Sequence, residues 1–340
     1  MSDLKWSFFQ VWNQSLEQGK TPRELKVRNN IWATEIGGAF VDRYLKMKAV
    51  APTNPPNPRS LRKFEAGNMM EWLAGMVLKR AGILQENQTW LSYQYPGLLE
   101  VTGKLEFFAG GQPNWLEANT AIQSLELPEF FNRATQAIVD HFSASYPNGL
   151  EQVILEIKSC SAYMFEYYEK YGASPQHVLQ VFHYLKAKNM QEAHLIYISK
   201  DDLRMLEFGV FNPSLVEEVY HSDIGQMTRF LRKGTQPEKE SLAVFDPLSG
   251  KFRTNWKVAY SNYLTMLYGF ENQKAYDDEY QKKVAQWNRV LARVVKGDNM
   301  TPANLTVIDE IRNSFLNWDE LVGIAREKGI KEEDDNNQEA

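Results

Sequence analysis

The sequence predicts an α/β protein whose core of strands and helices is followed by a helical C-terminal extension. Two observations lead to this prediction. Between residues 64 and 211, segments with helical spacing alternate with short runs rich in aromatic and β-branched residues. Beyond Pro213 the pattern is mostly helical, with a long amphipathic stretch at residues 255–295. Alternating elements that give way to helices are typical of an α/β core with a helical cap.

The first part of the chain predicts helices on either side of a proline-rich connection. Residues 51–60 read APTNPPNPRS, a composition that cannot continue a helix. They separate an N-terminal helical segment from residues 64–82, where Met70, Leu73 and Val77 recur at helical spacing. A glycine marks the end of this second helix.

The middle of the chain predicts strands separated by helices. TWLSYQYP and LLEVTGKLEFFAGG are typical of a hairpin or meander, residues 128–141 predict a helix, and VILEIKS predicts a buried strand. Residues 174–189 predict another helix, with Ser174 as its cap and Pro175 at its first position. AHLIYIS and LRMLEFGV, joined by a KDD turn, predict a final strand pair.

These elements divide the chain into four predicted segments. An N-terminal helical segment and the proline-rich connection cover residues 1–63, and the core covers residues 64–211. A helical region packed on the core covers residues 212–330. The acidic, amide-rich residues 331–340 predict a disordered tail, because they contain too little apolar surface to bury.

Composition narrows the class of protein. The chain has 340 residues, 43% of them hydrophobic, so it can bury a sizeable core. Its start lacks the pattern of a secretion signal, and no run approaches about 18 apolar residues, so we expect neither secretion nor a membrane span. The single cysteine, Cys160, excludes a disulfide framework within the chain and a four-cysteine zinc or iron–sulfur site. A reducing cytoplasm fits this composition best.

Charge argues against a protein that coats nucleic acid with a uniformly basic surface, because the formal net charge is −5. Two local basic clusters are each either a solvated face or a contact for phosphates. Their members are Arg59, Arg62 and Lys63 in the first cluster, and Lys251, Arg253 and Lys257 in the second.

Glu156 and Lys158 interrupt the apolar strand VILEIKS. Because strand side chains alternate between faces, these two residues share one face, opposite Leu155 and Ile157. A solvated sheet edge would explain an acid and a base here. The alternative is a metal site with a neighbouring amine.

Glu71 and Glu106 are two further acids in unusual surroundings. Glu71 lies four residues from both Gly67 and Gly75, on a helix stripe without bulk that another backbone could approach closely. The alternative is a solvated glutamate beside two tolerated glycines. Glu106 follows Gly103 within a strand, which suggests a bend or a close approach there.

The helix at residues 174–189 carries a second stripe besides its apolar face. Gln176, Gln180 and Tyr184 recur every four residues, so their long hydrogen-bonding side chains share one side of the helix. This stripe predicts a helix that buries one face and directs the other into a cleft. Ordinary packing of Tyr184 is the alternative.

Three carboxylates and an amine suit the hydrolysis of a phosphodiester. Hard oxygen ligands hold Mg²⁺ or Mn²⁺, which binds the scissile phosphate and lowers the pKa of an attacking water. A lysine adds positive charge beside that water. Without the cation the carboxylates repel one another, so a metal ion is expected to stabilise the site. The sequence has no serine-nucleophile motif, Walker loop or dinucleotide fingerprint.

The order of these motifs resembles that of the PD-(D/E)XK nuclease superfamily, specifically its RecB-like and phage-type exonuclease branch. The resemblance spans residues 31–210 and consists of Gly67-Asn-Met-Met-Glu71, Gly103-Lys-Leu-Glu106, Glu156-Ile-Lys158 and Gln180-Val-Phe-His-Tyr184. It implies a restriction-endonuclease-like core with a central mixed β-sheet flanked by helices. It also implies that Glu71, Glu106 and Glu156 bind one or two Mg²⁺ or Mn²⁺ ions, that Lys158 orients or activates water, and that Gln180 and Tyr184 position the site and the DNA backbone.

The resemblance predicts a metal-dependent DNA nuclease. The expected enzyme is an exonuclease acting on DNA with a free end in recombination, repair or phage DNA processing, and an endonuclease with sequence preference would share every motif. A recombination or replication protein is a possible partner. One position departs from the family pattern. Glu106 stands where the family usually has aspartate, and a shift of about 1 Å matters to catalytic geometry. The alternative function is therefore a nuclease-fold protein that has lost its chemistry and binds DNA ends or serves as an assembly subunit.

Two further expectations follow from the resemblance. Some relatives hold an iron–sulfur cluster on four cysteines, and this chain, with Cys160 alone, is expected to lack one. The aromatic run YMFEYYEKYG at residues 163–172 would stack unpaired bases at the mouth of the cleft, or would serve as packing or as a rigid loop.

Overall fold

The computed structural model of the protein describes residues 25–112, 148–211, 213–315 and 317–330, together with Ser15 and Ala144. The helix predicted at residues 128–141, most of the N-terminal helical segment before residue 25 and the acidic tail lie outside the described residues. The strands are β1 (Asn30–Trp32), β2 (Leu84–Tyr93), β3 (Glu100–Gly111), β4 (Leu150–Cys160), β5 (Glu192–Ser199), β6 (Met205–Phe211), β7 (Ala243–Asp246) and β8 (Lys251–Thr254). The helices are α1 (Phe40–Met47), α2 (Pro58–Arg80), α3 (Ala162–Tyr171), α4 (Pro175–Lys188), α5 (Ser214–Lys233), α6 (Trp256–Ala259), α7 (Leu264–Tyr268), α8 (Gln273–Lys296), α9 (Pro302–Ser314) and α10 (Trp318–Glu327).

The chain divides into two compact units. The first contains the residues up to Gly38, Met47–Ala49 and Pro56–Thr235, and the second contains Ala39–Lys46, Val50–Pro55 and the residues from Gln236 onward. The unit boundary follows α5 rather than preceding it. The helical region predicted to begin at residue 212 is therefore shared, because α5 belongs to the first unit.

A six-stranded mixed sheet forms the centre of the first unit, as the sequence predicts. Strand β4 is parallel to β5, and α3 and α4 connect the two. Strand β6 is antiparallel to β5, and β3 is antiparallel to both β2 and β4. The predicted α/β class, with a central mixed sheet flanked by helices, is confirmed.

Strand β3 has a gap in its pairing on one edge. Strand β2 pairs with one edge of β3, so β1 and β4 share the other. On this shared edge, β1 pairs with residues 100–102 and β4 with residues 107–111. Within the described part of the chain, residues 103–106 of β3 have no strand partner there. Glu106 lies in this gap.

Helices α2 and α4 lie on opposite faces of this sheet. Met70, Ala74 and Leu78 of α2 pack in one apolar cluster with Leu155 and Ile157 of β4. Glu156, between those two strand residues, contacts Gln180 of α4. Because successive strand residues point to opposite faces, the two helices must cover different faces.

Helix α2 begins at Pro58, earlier than predicted and inside the proline-rich connection, so the predicted boundary after residue 63 falls within the helix. Proline at the first helical position costs no hydrogen bond, since that N–H has no partner within a helix. Asn57 caps the helix by accepting from the Ser60 backbone N–H at 2.9 Å. Lys79 and Arg80 complement the dipole in its last turn.

The N-terminal part of the chain contains a short strand that the sequence did not predict. β1 pairs in parallel with β3, and a 3-10 turn at Ala33–Glu35 follows it. Strand β2 also begins earlier than predicted, at Leu84 instead of Thr89. Its first residues are polar and carry no alternating apolar pattern, so the sequence does not indicate a strand there.

The second unit is helical but includes a hairpin. Strands β7 and β8 pair antiparallel, and Gly250 at φ 69° completes the turn between them. The long amphipathic stretch at residues 255–295 is three helices rather than one, and Gly269, at φ 80°, ends the second of them, α7. Phe252, Trp287, Leu291, Ile311 and Ala325 form the centre of this unit's main apolar cluster. In the described ranges, no helix combines the length and the apolar character that crossing a bilayer needs.

Candidate active site

Glu156 is the most buried acid of the candidate site. Its side chain is 0% exposed, in the middle of β4. Oε1 accepts hydrogen bonds from Lys158 Nζ and, at 2.6 Å, from Gln180 Nε2. Oε2 is buried and accepts no hydrogen bond from any donor among the described residues. A solvated sheet edge is excluded for Glu156, because its side chain is fully buried. A charge at this depth needs compensation from its neighbours.

Lys158 supplies part of that compensation. It lies two residues after Glu156 on the same face of β4, and its ammonium contacts Glu156 Oε1 and lies 3.9 Å from Glu106 Oε1. The lysine side chain is 20% exposed, so the ammonium connects the buried carboxylates with the surface.

Glu106 reaches the same place from β3. Its Oε2 accepts the Ile157 backbone N–H at 2.5 Å, in the gap where β3 and β4 do not pair. The Glu106 carboxyl therefore accepts a hydrogen bond that the β3 backbone would accept if β3 and β4 were paired at this point. The Glu106 carboxyl is also close enough to interact with that of Glu156.

Glu71 approaches from α2. Its Oε1 accepts a hydrogen bond from Gln88 Nε2 of β2, and the charges of Glu156, Lys158 and Lys104 act on it. The two glycines of its helix stripe explain the close packing. A Cβ at Gly75 would lie 2.9 Å from the Phe107 ring, and one at Gly67 would lie 3.2 Å from Ser159 Oγ. What approaches the stripe is thus side chains of β3 and β4, not the backbone that the sequence suggested.

Gln180 and Tyr184 lie one turn apart on α4 and are linked. Gln180 Nε2 also approaches Tyr184 OH at 3.0 Å, and that hydroxyl donates to the Lys104 carbonyl at 3.0 Å. A Cβ at Gly103 would lie 2.7 Å from the Tyr184 ring. The close approach predicted at Gly103 is therefore present, and it lets α4 pack against β3.

The electrostatics of the cluster reflect crowding of buried acids. Burial raises the pKa of Glu106 well above its ordinary value, and the Glu156 charge adds to this effect. Burial also raises the pKa of Glu156, although Lys158 opposes it, and burial with the Glu156 charge raises that of Glu71. For Lys158 burial lowers the pKa, but the charges of Glu156 and Glu106 outweigh burial and leave it raised.

A divalent cation fits the chemistry of this cluster. Glu156 Oε2 lacks a hydrogen donor, and the neighbouring Glu106 carboxyl would supply one only if it carried a proton. A cation between the two groups would meet the same need. Even so, no three His, Cys, Asp or Glu side chains in the described ranges are arranged as a ready ligand set. The Lys158 ammonium contacts one of these carboxylates and lies near another, so binding of a cation would require these side chains to adjust.

Comparisons with known proteins add little to this geometry. No protein-family model matches the chain, and no protein with a curated description matches it either. Among solved structures, the protein SSO0001 is similar at a TM-score of 0.41 and 14% identity, covering 76% of this chain and 95% of that one. An alkaline exonuclease from Laribacter hongkongensis is similar at a TM-score of 0.32 and 9% identity, covering 66% of this chain and 93% of that one. Neither likeness is close enough to bear on activity.

Two residues beside the site belong to none of the predicted motifs. Gln88 contacts Glu71, and His177 of α4 lies near Lys158, with its Nδ1 2.8 Å from Tyr197 OH. The run of polar residues at 85–88, which breaks the strand pattern, was a signal for Gln88. His177 lies three residues before Gln180, on the polar stripe of α4, and this spacing was its signal.

The aromatic run at residues 163–172 is helical, not a loop. Most of it belongs to α3, where Phe165 and Tyr168 are buried and Tyr168 stacks on Tyr197. These two side chains therefore pack against the sheet. Tyr163 is 73% exposed, and only such outward residues would be available to stack a base.

Proposed function

We propose that this protein is a divalent-metal-dependent deoxyribonuclease. The observation that carries the proposal is the setting of Glu156, a fully buried carboxylate with one oxygen that lacks a donor, beside Glu106 and Lys158. A purely structural role would favour full hydrogen bonding of a buried acid or its replacement by an apolar residue. A cation-binding role would account for the Glu156 oxygen that has no hydrogen donor.

Glu71, Glu106 and Glu156 would hold one or two Mg²⁺ or Mn²⁺ ions. When bound, such an ion neutralises the scissile phosphate and supplies an attacking water of lowered pKa. The contacts of the three glutamates support this assignment. Glu106 accepts a hydrogen bond from β4 at the gap in the sheet and lies beside Glu156, and the Glu156 charge acts on Glu71.

The remaining residues would act on the substrate and on the carboxylates. Lys158 would place a positive charge beside the water and the phosphate. Gln180 would keep Glu156 oriented through its 2.6 Å hydrogen bond, and Tyr184 would fix Gln180 and the β3 backbone. Tyr184 would also lie beside the DNA backbone.

The substrate we propose is DNA with a free end, cleaved exonucleolytically in the cytoplasm during recombination, repair or phage DNA processing. The order of the four motifs supports this choice. A recombination or replication protein would be the natural partner of such an enzyme.

A second candidate is a protein that binds DNA ends, or assembles with other proteins, without cleaving. Glu106 favours it in two ways. The residue is longer than the aspartate of the family pattern, and one of its oxygens is occupied by the Ile157 N–H. That oxygen is less available to a cation than a free carboxylate would be.

End-labelled linear DNA and covalently closed DNA, each incubated with Mg²⁺, Mn²⁺ or EDTA, would test metal need and end dependence together. We expect shortening of the linear DNA with either metal and none in EDTA. Glu156→Ala and Lys158→Ala should abolish cleavage while the circular dichroism spectrum stays close to that of the wild type.

The outcomes separate the candidates. Cleavage that persists in Glu156→Ala or in EDTA would count against the proposal. If neither the wild type nor Glu106→Asp cleaves with Mn²⁺, yet both retard linear DNA in a gel, the binding function is correct. Cleavage of closed DNA would indicate an endonuclease.

A further inference from the structure

Gln88 has an unusual backbone for a residue inside a strand. Its φ is 55°, in the left-handed region that residues other than glycine, asparagine and aspartate rarely adopt. It is neither in a turn nor at a chain end, because β2 continues on both sides of it. A conformation of this kind persists only where surrounding contacts enforce it, and it concentrates at functional sites.

The left-handed residue sits opposite the candidate active site. On β2, Asn87 pairs with Phe107 and Thr89 pairs with Leu105, so Gln88 lies across from Glu106. The irregular residue of one strand and the proposed metal ligand of the next are therefore neighbours.

The conformation redirects the Gln88 side chain. Residues two apart on a regular strand point to the same face. Glu86 forms an ion pair with Lys188 of α4, whereas Gln88 donates to Glu71 of α2, on the opposite face of the sheet. The left-handed backbone at Gln88 accounts for this reversal of the alternation and for the contact of its amide with Glu71.

We propose that Gln88 is a positioning residue that holds the Glu71 carboxylate at the candidate site, an inference that rests on the proposed function. Through its hydrogen bond to Glu71 Oε1, the Gln88 amide would fix the orientation of this carboxylate, whose other oxygen would bind the cation. An amide suits this task better than a lysine, because it orients a carboxylate without bringing a charge that would repel the metal ion. Metal-bound carboxylates are generally held by such neighbours.

Isothermal titration of the full chain with Mn²⁺ would test this role without depending on cleavage. We expect Gln88→Ala to weaken Mn²⁺ binding by about tenfold, the usual effect of losing a partner of a ligand. In a Glu71→Ala background the same substitution should leave the Mn²⁺ affinity unchanged. Gln85→Ala is the matched control, since Gln85 lies on the same strand but donates to the Gly110 carbonyl at 2.9 Å.

Gln88→Gly separates the side chain from the backbone. Glycine accepts the left-handed conformation freely, so this variant should melt no lower than Gln88→Ala. It should nevertheless show the same loss of Mn²⁺ affinity. If Gln88→Gly binds Mn²⁺ like the wild type, the amide has no positioning role and the inference is overturned.

Melting temperatures in EDTA distinguish this inference from the proposed function. Gln88→Ala should shift the melting temperature in the wild-type background and not in Glu71→Ala. An equal shift in both backgrounds would overturn the inference, as would an equal loss of Mn²⁺ affinity in both. A wild type that binds no Mn²⁺ but shows the expected difference in EDTA would refute the proposed function and leave the Gln88–Glu71 contact standing.

Discussion

Gln180 Nε2 lies 2.6 Å from Glu156 Oε1, so the amide of α4 holds the buried carboxylate of β4. Both residues are almost fully buried, with Gln180 5% exposed and Glu156 0% exposed. The contact joins a helix to the strand at the centre of the first unit. It therefore connects stability and the proposed chemistry in one hydrogen bond.

Gln180→Leu should lower both the stability of the protein and its cleavage of DNA. The change leaves Glu156 Oε1 with Lys158 as its remaining donor, and loss of a hydrogen bond to a buried charge costs about 1–3 kcal/mol. Urea unfolding monitored by circular dichroism would measure the change in the free energy of unfolding, and the DNA assay would measure the fall in cleavage. Gln176→Ala is the control, because Gln176 lies one turn earlier on α4 and donates to the Thr34 carbonyl at the surface. If both variants unfold alike, Gln180 has no special role.

Lys158→Met should destabilise the protein in EDTA and make it more responsive to metal. Removal of the ammonium leaves Glu156 and Glu106 without their nearest positive charge, and breaking a buried pair from one side costs roughly 3–5 kcal/mol. In thermal melting, Mn²⁺ should raise the melting temperature of Lys158→Met more than that of the wild type, because the cation replaces the lost charge.

Lys186→Met provides the comparison for that experiment. Lys186 pairs with Glu217 at 2.8 Å, and Glu217 is 37% exposed, so the loss should stay within about 1 kcal/mol. Its response to Mn²⁺ should equal that of the wild type. The prediction fails if Mn²⁺ raises the melting temperature of Lys158→Met and Lys186→Met by the same amount.

Gly103→Ala should be costly because α4 packs directly against that backbone. The added Cβ would lie 2.7 Å from both the Ala33 Cβ and the Tyr184 ring, and overpacking of this kind costs about 1–3 kcal/mol. Gly225→Ala on α5 is the matched change, since a Cβ there meets nothing within 4 Å. In a helix that substitution should raise stability by about 0.5–1 kcal/mol. Equal denaturation midpoints for the two variants would contradict the packing of α4 on β3.

The buried His183 side chain should make the protein less stable in mild acid. Burial lowers the pKa of His183 to about 4, below its ordinary 6.5, although the Leu91 backbone opposes the shift. Between these values the unfolded chain binds more protons than the folded one, so stability rises with pH and falls as the pH drops from 6.5 towards 4. The full effect is on the order of 3 kcal/mol.

His183→Asn isolates this contribution. His183 Nδ1 lies 2.9 Å from Tyr220 OH, and an asparagine can keep a hydrogen bond to that hydroxyl without titrating. The difference in unfolding free energy between wild type and His183→Asn, measured by urea titration from pH 7 to pH 4.5, should shift in favour of the variant as the pH falls. A difference that stays constant over that range would disprove the assignment to His183.

Much of the core could be predicted from the sequence, because its strands and helices carry local sequence signals. Strands β5 and β6 carry apolar β-branched runs around a turn, and α4 has a proline at its first position and Asn189 in the left-handed region at its end. Such signals depend on residues close in the chain. The β7–β8 hairpin and β1 were missed because they are short, and β1 depends on its pairing with β3.

The sequence by itself determined the α/β class, the order of the four motifs, and the presence of an acid and a lysine on one face of β4. Helix and strand geometry determines which residues of one element share a face, and this geometry follows from spacing in the sequence alone. Tertiary structure alone decided that Glu106 lies beside Glu156 at a gap in the pairing of β3, that the Glu156 charge acts on Glu71, and that Gln88 contacts Glu71 of α2. These contacts join residues far apart in the chain, and the pairing and packing that create them leave no periodic pattern in the sequence.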